Sequence, residues 1–242
     1  MKVAGHSKWA NIKHRKGKAD AKKGKIFSRI AKEIISAVKV GGADVKMNPR
    51  LRLALQKAKE ANVPNEIVDR NIKKASSADQ ADYSELTYEL YGYGGVGLLV
   101  EIMTDNKNRV SSDMRIATNK RGGTIAAPGS VAFNFEQKGV IQVPKKAHSE
   151  DELFLVATEA GAEDFETEDE MYIVITAPND LYSVKEAMIK LGFECGEASL
   201  DMIPKSYVEC SEEHAAANFA LIDWLEELDD VDTVYHNMKE DD

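Results

Sequence analysis

The sequence has few cysteines and no long apolar segment. Its 242 residues include two cysteines, Cys195 and Cys210, and no Cys-x-x-Cys motif. This argues against a disulfide-rich fold and a cysteine-based zinc site. A reducing compartment is the simplest interpretation, and a single disulfide is the alternative.

No apolar run approaches the roughly 20 residues that cross a bilayer, and residues 1–5 lack the apolar stretch of a secretory signal. We therefore expect a cytoplasmic protein without membrane association.

The sequence also lacks the motifs of common enzymes. It contains no His-Glu-x-x-His, Gly-x-Ser-x-Gly or P-loop pattern. His6 and His14 have no neighbouring cysteine or carboxylate cluster that would complete a metal site. We expect no metal, no cofactor and no catalytic residue. An enzyme whose active site uses Thr104, Asp105 and Arg109 is the alternative.

What the sequence does contain is a strong division of charge. Residues 1–76 hold 20 basic and 6 acidic side chains, whereas the other 166 residues hold 12 and 35, and the whole chain has a formal net charge of -9. Such asymmetry suggests a basic segment for nucleic acid joined to an acidic body. The alternative is that the basic side chains only solvate helix faces.

The N-terminal arm, residues 1–25, concentrates this positive charge. Lysine and arginine side chains near a phosphate backbone release condensed counterions, and this drives sequence-independent binding. Trp9 is suited equally to stacking on an unpaired base and to packing against the protein. We predict nucleic-acid contacts along the arm and the first helix. The predicted contact residues are Lys8, Trp9, Asn11, Lys13, His14, Arg15, Lys16, Lys18, Lys22, Lys23, Lys25 and Arg29.

A second basic cluster lies in the otherwise acidic body, within the segment "TDNKNRVSSDMR". Its threonine, aspartate and asparagines are cap-forming residues, so helix initiation alone explains them. A helix N-terminus with a nearby arginine can also hold a phosphate. Lys107, Arg109 and Arg115 are therefore the secondary candidate contact.

Apolar periodicity predicts three short helices near the N-terminus. Apolar residues recur at three- and four-residue steps over residues 26–38. Asn48-Pro49 and Pro64-Asn65 then have the composition of helix starts. Three helices joined by short loops form a small bundle, and the polar segment 75–82 is predicted to be a linker.

Beyond residue 82 the pattern changes to alternating strands and helices. Gly92, Gly94 and Gly97 match Gly-x-Gly-x-x-Gly, but a second apolar run follows instead of a helix. We therefore predict a hairpin turn rather than a dinucleotide site. A helix over 106–120 and a short strand over 131–135 are predicted next.

Residues 140–203 follow the order strand, helix, strand, strand, helix, strand, which is typical of a ferredoxin-like α/β sandwich. The longest predicted helix, 211–228, and a last strand, 231–236, have no sheet of their own, so we pair them with the strands at 86–103. The predicted fold is multidomain α+β. It consists of an arm plus N-terminal helical bundle (1–78) and an α+β domain (79–132 and 206–242) that is interrupted by a ferredoxin-like domain (133–205).

Several blocks of the sequence resemble a known family. The blocks "AGHSKWANIKHRKGKADAKKGKIFSRIAKEI", "NPRLRLALQKAKEANVPNEIVDRNIKKA", "YELYGYGGVGLLVEIMTDNKNR" and "GSVAFNFEQKGVI" are similar, in this order, to those of the YebC family. That family includes the mitochondrial translational activator of cytochrome oxidase subunit one. The resemblance covers nearly the whole chain and implies a three-domain, cytoplasmic, non-enzymatic protein. The departures, "ASSADQAD" and "YELYGYGG", leave the basic block untouched. The family motif begins at Ala4, which leaves no room for a transit peptide and suggests a bacterial or cytosolic member.

The residues and the resemblance together suggest a nucleic-acid-binding regulator of gene expression. The family is often labelled as DNA-binding transcriptional regulators. The alternative is a ribosome-associated, RNA-binding translation factor that activates synthesis or relieves stalling on proline-rich stretches. No helix-turn-helix spacing is evident, and the arm suits an RNA surface, so the residues alone slightly favour RNA, whereas the family's usual label favours DNA. The expected partners are DNA or ribosomal or transfer RNA, and on the second hypothesis the ribosome, with a monomeric protein. A scaffold whose arm docks onto an acidic protein is a third hypothesis.

Overall fold

The computed structural model describes residues 23–75, 82–145, 149–168 and 170–239. In these ranges it contains α-helices α1 (Lys23–Gly41), α2 (Pro49–Glu60), α3 (Asn65–Ala75), α4 (Lys107–Arg121), α5 (Glu150–Ala160), α6 (Leu181–Lys190) and α7 (Glu212–Glu227). Its strands are β1 (Ser84–Tyr91), β2 (Gly97–Thr104), β3 (Thr124–Ile125), β4 (Phe135–Pro144), β5 (Asp164–Thr167), β6 (Met171–Thr176), β7 (Ala198–Pro204) and β8 (Val231–His236). Two antiparallel sheets and N-terminal helices confirm the predicted mixed α+β class.

The three N-terminal helices pack around their own apolar core, to which Ile34 and Leu51 contribute buried side chains. Asn48 begins α2 as its N-cap, because its side chain accepts a hydrogen bond from the Leu51 N–H at 3.0 Å. The same side chain donates to the carbonyls of Ala37 and Gly42, both at 2.8 Å. This one asparagine therefore ties the end of α1 to the start of α2.

The first sheet has the strand order β3-β1-β2-β8. β1 and β2 form the predicted hairpin, and the turn is a 3-10 segment, Tyr93–Gly95, with no helix after it. β8 comes from the far end of the chain and pairs with β2, as predicted. α4 and α7 pack side by side on this sheet, over a core that includes Leu98, Val100 and Met114.

The second sheet, with the order β5-β6-β4-β7, carries α5 and α6. Its chain order β4-α5-β5-β6-α6-β7 and its strand order are those of a ferredoxin-like unit, which confirms that part of the prediction. The predicted capping box is present at the start of α5, where Ser149 and Glu152 each bond the other's backbone N–H.

The described residues group into two compact units. Phe133–Tyr207 forms one, which contains the ferredoxin-like fold, and the other combines residues 23–132 with Val208–Met238. The predicted boundary at residues 78 and 79 falls in the undescribed range 76–81 and stays a prediction.

Two local expectations were wrong. The predicted strand over 131–135 is a 3-10 turn, Ala132–Asn134, which leads into β4 at Phe135. The buried Glu89 carboxylate accepts hydrogen bonds from the N–H groups of Gly129, Val131 and Ala132, at 2.5–2.8 Å, and this bends the chain there. The second expectation was that the helix over 211–228 would be the longest. Instead α1, with 19 residues, is longer than α7, with 16, because α1 already begins in the basic arm, at Lys23.

Candidate nucleic-acid interface

The structure describes only the last part of the predicted contact surface. The nine contacts predicted from Lys8 to Lys22 lie outside the described residues. Lys23 begins α1, and Lys25 and Arg29 lie on its first two turns. Of this set, the structure therefore describes the side chains of Lys25 and Arg29.

Lys25 is directed at the end of α7. Its Nζ donates to the carbonyl oxygen of Leu228, at 2.7 Å, and to that of Glu226. The last carbonyls of a helix have no partner within the helix and carry its negative dipole end. A lysine ammonium at this position donates hydrogen bonds to the carbonyls and its positive charge interacts favourably with the negative end of the dipole. Lys25 therefore ties α1 to the C-terminus of α7.

Arg29, one turn later, binds the first residues of β8. Its guanidinium donates to the carbonyl oxygen of Asp232 at 3.3 Å, and its Nε lies 3.8 Å from the Asp232 carboxylate and 3.5 Å from that of Glu33. Burial opposes the charge of Arg29, but Asp232 and Glu33 more than offset this and raise its pKa. Arg29 is thus held by carboxylates of its own chain.

Lys32, which is not among the predicted contact residues, completes this contact. Its Nζ donates to the carbonyls of Asp229 (2.7 Å) and Met103 (3.1 Å) and lies 3.4 Å from the Asp230 carboxylate. Lys25, Arg29 and Lys32 recur at four- and three-residue steps, so they share one face of α1. That spacing was visible in the sequence, but nothing there showed which surface the stripe would meet.

The same buried Asp230 also binds the second basic cluster. Its carboxylate accepts from Arg109 at 2.7 and 3.0 Å, while Asp105 accepts from the same guanidinium at 2.6 Å. Burial disfavours the charged form of Asp230, but Arg109 and Lys32 outweigh it, and the pKa of Asp230 lies below its ordinary value. Asp230 therefore joins a cation of α1 to a cation of α4.

The other predicted cations of α4 differ from Arg109. Lys107 and Arg115 are exposed, as is Lys120. The described part of the chain places no carboxylate within 4.0 Å of their charged groups. Arg121, at the end of α4, lies over the Trp224 ring of α7, 5.1 Å from its centroid. The cluster thus divides into side chains bound by the body and side chains facing solvent.

Helices α4 and α7 are neighbours with opposite charge. The sequence of α4 contains five basic residues and one acid, whereas α7 contains five acids and neither lysine nor arginine. Because both helices cover the same sheet, the positive surface of α4 is a local feature of an otherwise acidic body.

The three residues of the alternative active site, Thr104, Asp105 and Arg109, all form hydrogen bonds or ion pairs within the protein. Thr104 is fully buried, and its hydroxyl oxygen accepts from the Asn106 N–H at 2.9 Å, while Asp105 and Arg109 form the ion pair described above. Over the described ranges, no group of three or more histidine, cysteine or carboxylate side chains could hold a metal ion. The same ranges contain no helix long and apolar enough to span a bilayer.

Comparison with known proteins decides the family. Two family models match: the TACO1/YebC protein N-terminal domain over residues 7–78, and the TACO1/YebC second and third domain over residues 83–238. The chain belongs to the TACO1/YebC family. Curated family members include probable transcriptional regulatory proteins of Protochlamydia amoebophila, 74% identical over 98% of this chain and 97% of that protein, and of Chlamydia pneumoniae, 61% identical over 98% and 100%.

A solved structure supports the same family fold. A conserved hypothetical protein from Aquifex aeolicus is 44% identical to this chain and superposes with a TM-score of 0.84, over 98% of both chains. The expected resemblance to the YebC family is therefore confirmed, and so is the α+β class.

Proposed function

We propose that this member of the TACO1/YebC family is a nucleic-acid-binding regulator of transcription that acts without catalysis. The observation that carries the proposal is the division of charge: 20 basic residues against 6 acids in residues 1–76, followed by a strongly acidic remainder. The printed names of the Protochlamydia and Chlamydia relatives, probable transcriptional regulatory proteins, support the choice of transcription.

The physical basis is polyelectrolyte binding by the arm. Each phosphate that a lysine or arginine neutralises releases condensed counterions, so affinity falls steeply with salt. The acidic remainder of the chain repels phosphate and limits the contact to the positive surface. The proposed contacts run from Lys8 to Lys23. Lys25 and Arg29 are already engaged by α7 and β8, which supports a role in anchoring the arm to the body.

Charge reversal in the arm tests the proposal. The variant Lys13→Glu, Lys16→Glu, Lys22→Glu and Lys23→Glu should abolish binding of the full chain to duplex DNA at about 0.1 M salt, because four phosphate contacts become repulsive. A control of equal charge change uses four exposed lysines elsewhere: Lys46, Lys59, Lys73 and Lys190. The control should keep most of the affinity. Equal binding by the arm variant and the parent would contradict the proposal.

A second measurement tests the choice of DNA. A transcriptional regulator should prefer its own sites over other DNA by about 10³-fold or more. Sequencing the nucleic acid crosslinked to the protein in cells should therefore recover promoter DNA. Recovery of mostly ribosomal RNA would instead show a translation factor and reject the transcriptional assignment.

A further inference from the structure

We propose that the solvent-facing side of α4 is a second nucleic-acid contact, one that grips the sugar-phosphate backbone. This inference rests on the proposed function and adds a binding surface on the acidic body, separate in sequence from the arm. It is defined by four side chains at four- and three-residue steps, here named the donor face: Asn108, Ser112, Arg115 and Asn119.

The donor face lies opposite the buried side of the helix. Val110, Met114 and Ala117 point into the core beneath α4. At about 100° per residue, the four donor-face residues lie on the other side of the helix, and each is exposed. Ile116, 46% exposed, lies at the edge of this face. None of the four is therefore needed for packing.

The chemistry of the donor face matches a phosphate backbone. Arginine, lysine, serine and asparagine are among the side chains that hydrogen-bond to phosphate and sugar in protein–DNA complexes. The face consists of one arginine, one serine and two asparagines, with the exposed Lys107 and Lys120 beside it. Its nearest acid along the helix, Asp113, is half-buried toward the other side. An anionic backbone thus meets hydrogen-bond donors and positive charge, and over the described ranges no carboxylate lies within 4.0 Å of the charged groups of Lys107, Arg115 or Lys120.

Arg109 is excluded from the donor face, although it lies on the same helix. Its guanidinium is shared between Asp105 and Asp230, so its charge is already neutralised. Arg115 has no carboxylate within 4.0 Å in the part of the chain that the structure describes. In the same described part, Lys107 and Lys120 are also free of carboxylates at this distance, but the planar Arg115 guanidinium can in addition bind a phosphate through two parallel hydrogen bonds.

The first test removes one charge. Arg115→Gln in the full chain should weaken binding to duplex DNA, and to a structured RNA, on the order of fivefold at about 0.1 M salt, and should reduce the slope of log affinity against log salt by about 1. Lys190→Gln is the matched control, since it removes an exposed charge from α6. The control should change neither quantity. A larger effect on one of the two probes identifies the physiological backbone.

The second test separates binding from folding. Asn108→Asp places a carboxylate in the first turn of α4, where the helix dipole favours it. The thermal unfolding midpoint should therefore stay constant or rise, while nucleic-acid affinity falls severalfold because the new charge faces the phosphates. A damaged fold would move both quantities down together.

The outcomes distinguish this inference from the proposed function. If the parent binds neither DNA nor RNA, both fail. If the parent binds and the arm variant does not, while Arg115→Gln and Asn108→Asp bind like the parent, the proposed function stands and the donor face is rejected. Loss of affinity in both α4 variants, with Lys190→Gln unchanged, supports the donor face.

Discussion

Helices α1 and α4 are both basic, yet cations of α1 bind other parts of the protein whereas cations of α4 face solvent. In α1, Lys25, Arg29 and Lys32 all contact the segment from the end of α7 to the start of β8. In α4, Arg115 and its lysine neighbours face solvent. A cluster of lysines and arginines in a sequence therefore identifies positive charge but not its partner.

The reason for the difference is what lies opposite each helix. α1 faces the carbonyls at the C-terminus of α7, where the helix dipole is negative, and the carboxylates of Asp230 and Asp232, a surface that attracts cations. The side chains on the outer side of α4 are exposed. The positive charge of Lys25, Arg29 and Lys32 is therefore used for folding, whereas the outer charge of α4 remains available to a ligand.

The largest expected effect comes from removing the carboxylate that the two helices share. Asp230→Ala leaves Lys32, whose side chain is 12% exposed, without its anionic partner. Arg109 suffers less, since its side chain is 46% exposed and can be hydrated. We expect a loss of about 3 kcal/mol in the free energy of unfolding, measured by urea denaturation.

The neighbouring residue provides the control for this change. Asp229 is exposed and contributes its carbonyl, not its carboxylate, to the Lys32 contact. Asp229→Ala should cost less than about 0.5 kcal/mol. Similar losses in the two variants would show that Asp230 does not join α1 to α4 electrostatically.

A pH effect on the α1 side is expected next. Burial raises the pKa of Asp232 to about 6; repulsion from Glu33 and Glu101 adds to this, and Arg29 and Lys32 oppose it. A carboxylate with a raised folded-state pKa contributes stability that is complete below its unfolded pKa, about 4, and is lost as the pH rises through the folded value. The contribution lost between pH 4 and pH 6 is at most about 3 kcal/mol.

Asp232→Asn should remove this dependence. The stability of the parent relative to the variant should fall from pH 4 to pH 6 and then level off, as followed by urea denaturation at each pH. The stability of Asp229→Asn, which changes an exposed carboxylate, should vary with pH in the same way as that of the parent. A constant difference between parent and Asp232→Asn across this window would contradict the assignment.

The smallest expected effects compare Arg29 of α1 directly with Arg115 of α4, in stability and in nucleic-acid affinity. Arg29→Gln should lower the free energy of unfolding by about 1–2 kcal/mol, because it removes a partner of Asp232 and Glu33. Arg115→Gln should change stability by less than about 0.5 kcal/mol. Affinity for nucleic acid, measured on folded protein, should respond in the reverse order. If Arg29→Gln weakens binding as much as Arg115→Gln, Arg29 is a direct contact, as the sequence pattern alone predicts.

Much of the fold was predictable because its signals are local. The hairpin followed from glycines between two apolar runs, the start of α2 from Asn48-Pro49, and the start of α5 from the spacing of Ser149 and Glu152. The turn before β4 was missed because its cause, the Glu89 carboxylate, lies 40 residues or more away in the chain.

The sequence by itself determined the order of helices and strands, the separation of charge and the resemblance to a family, since each depends on neighbouring residues or simple counts. Only the tertiary structure decided which cations are already bound. Asp230 meets Lys32 and Arg109 from 198 and 121 residues away. No pattern of neighbouring residues predicts these contacts, because they form only when β8 pairs with β2 and brings the acidic end of α7 against α1.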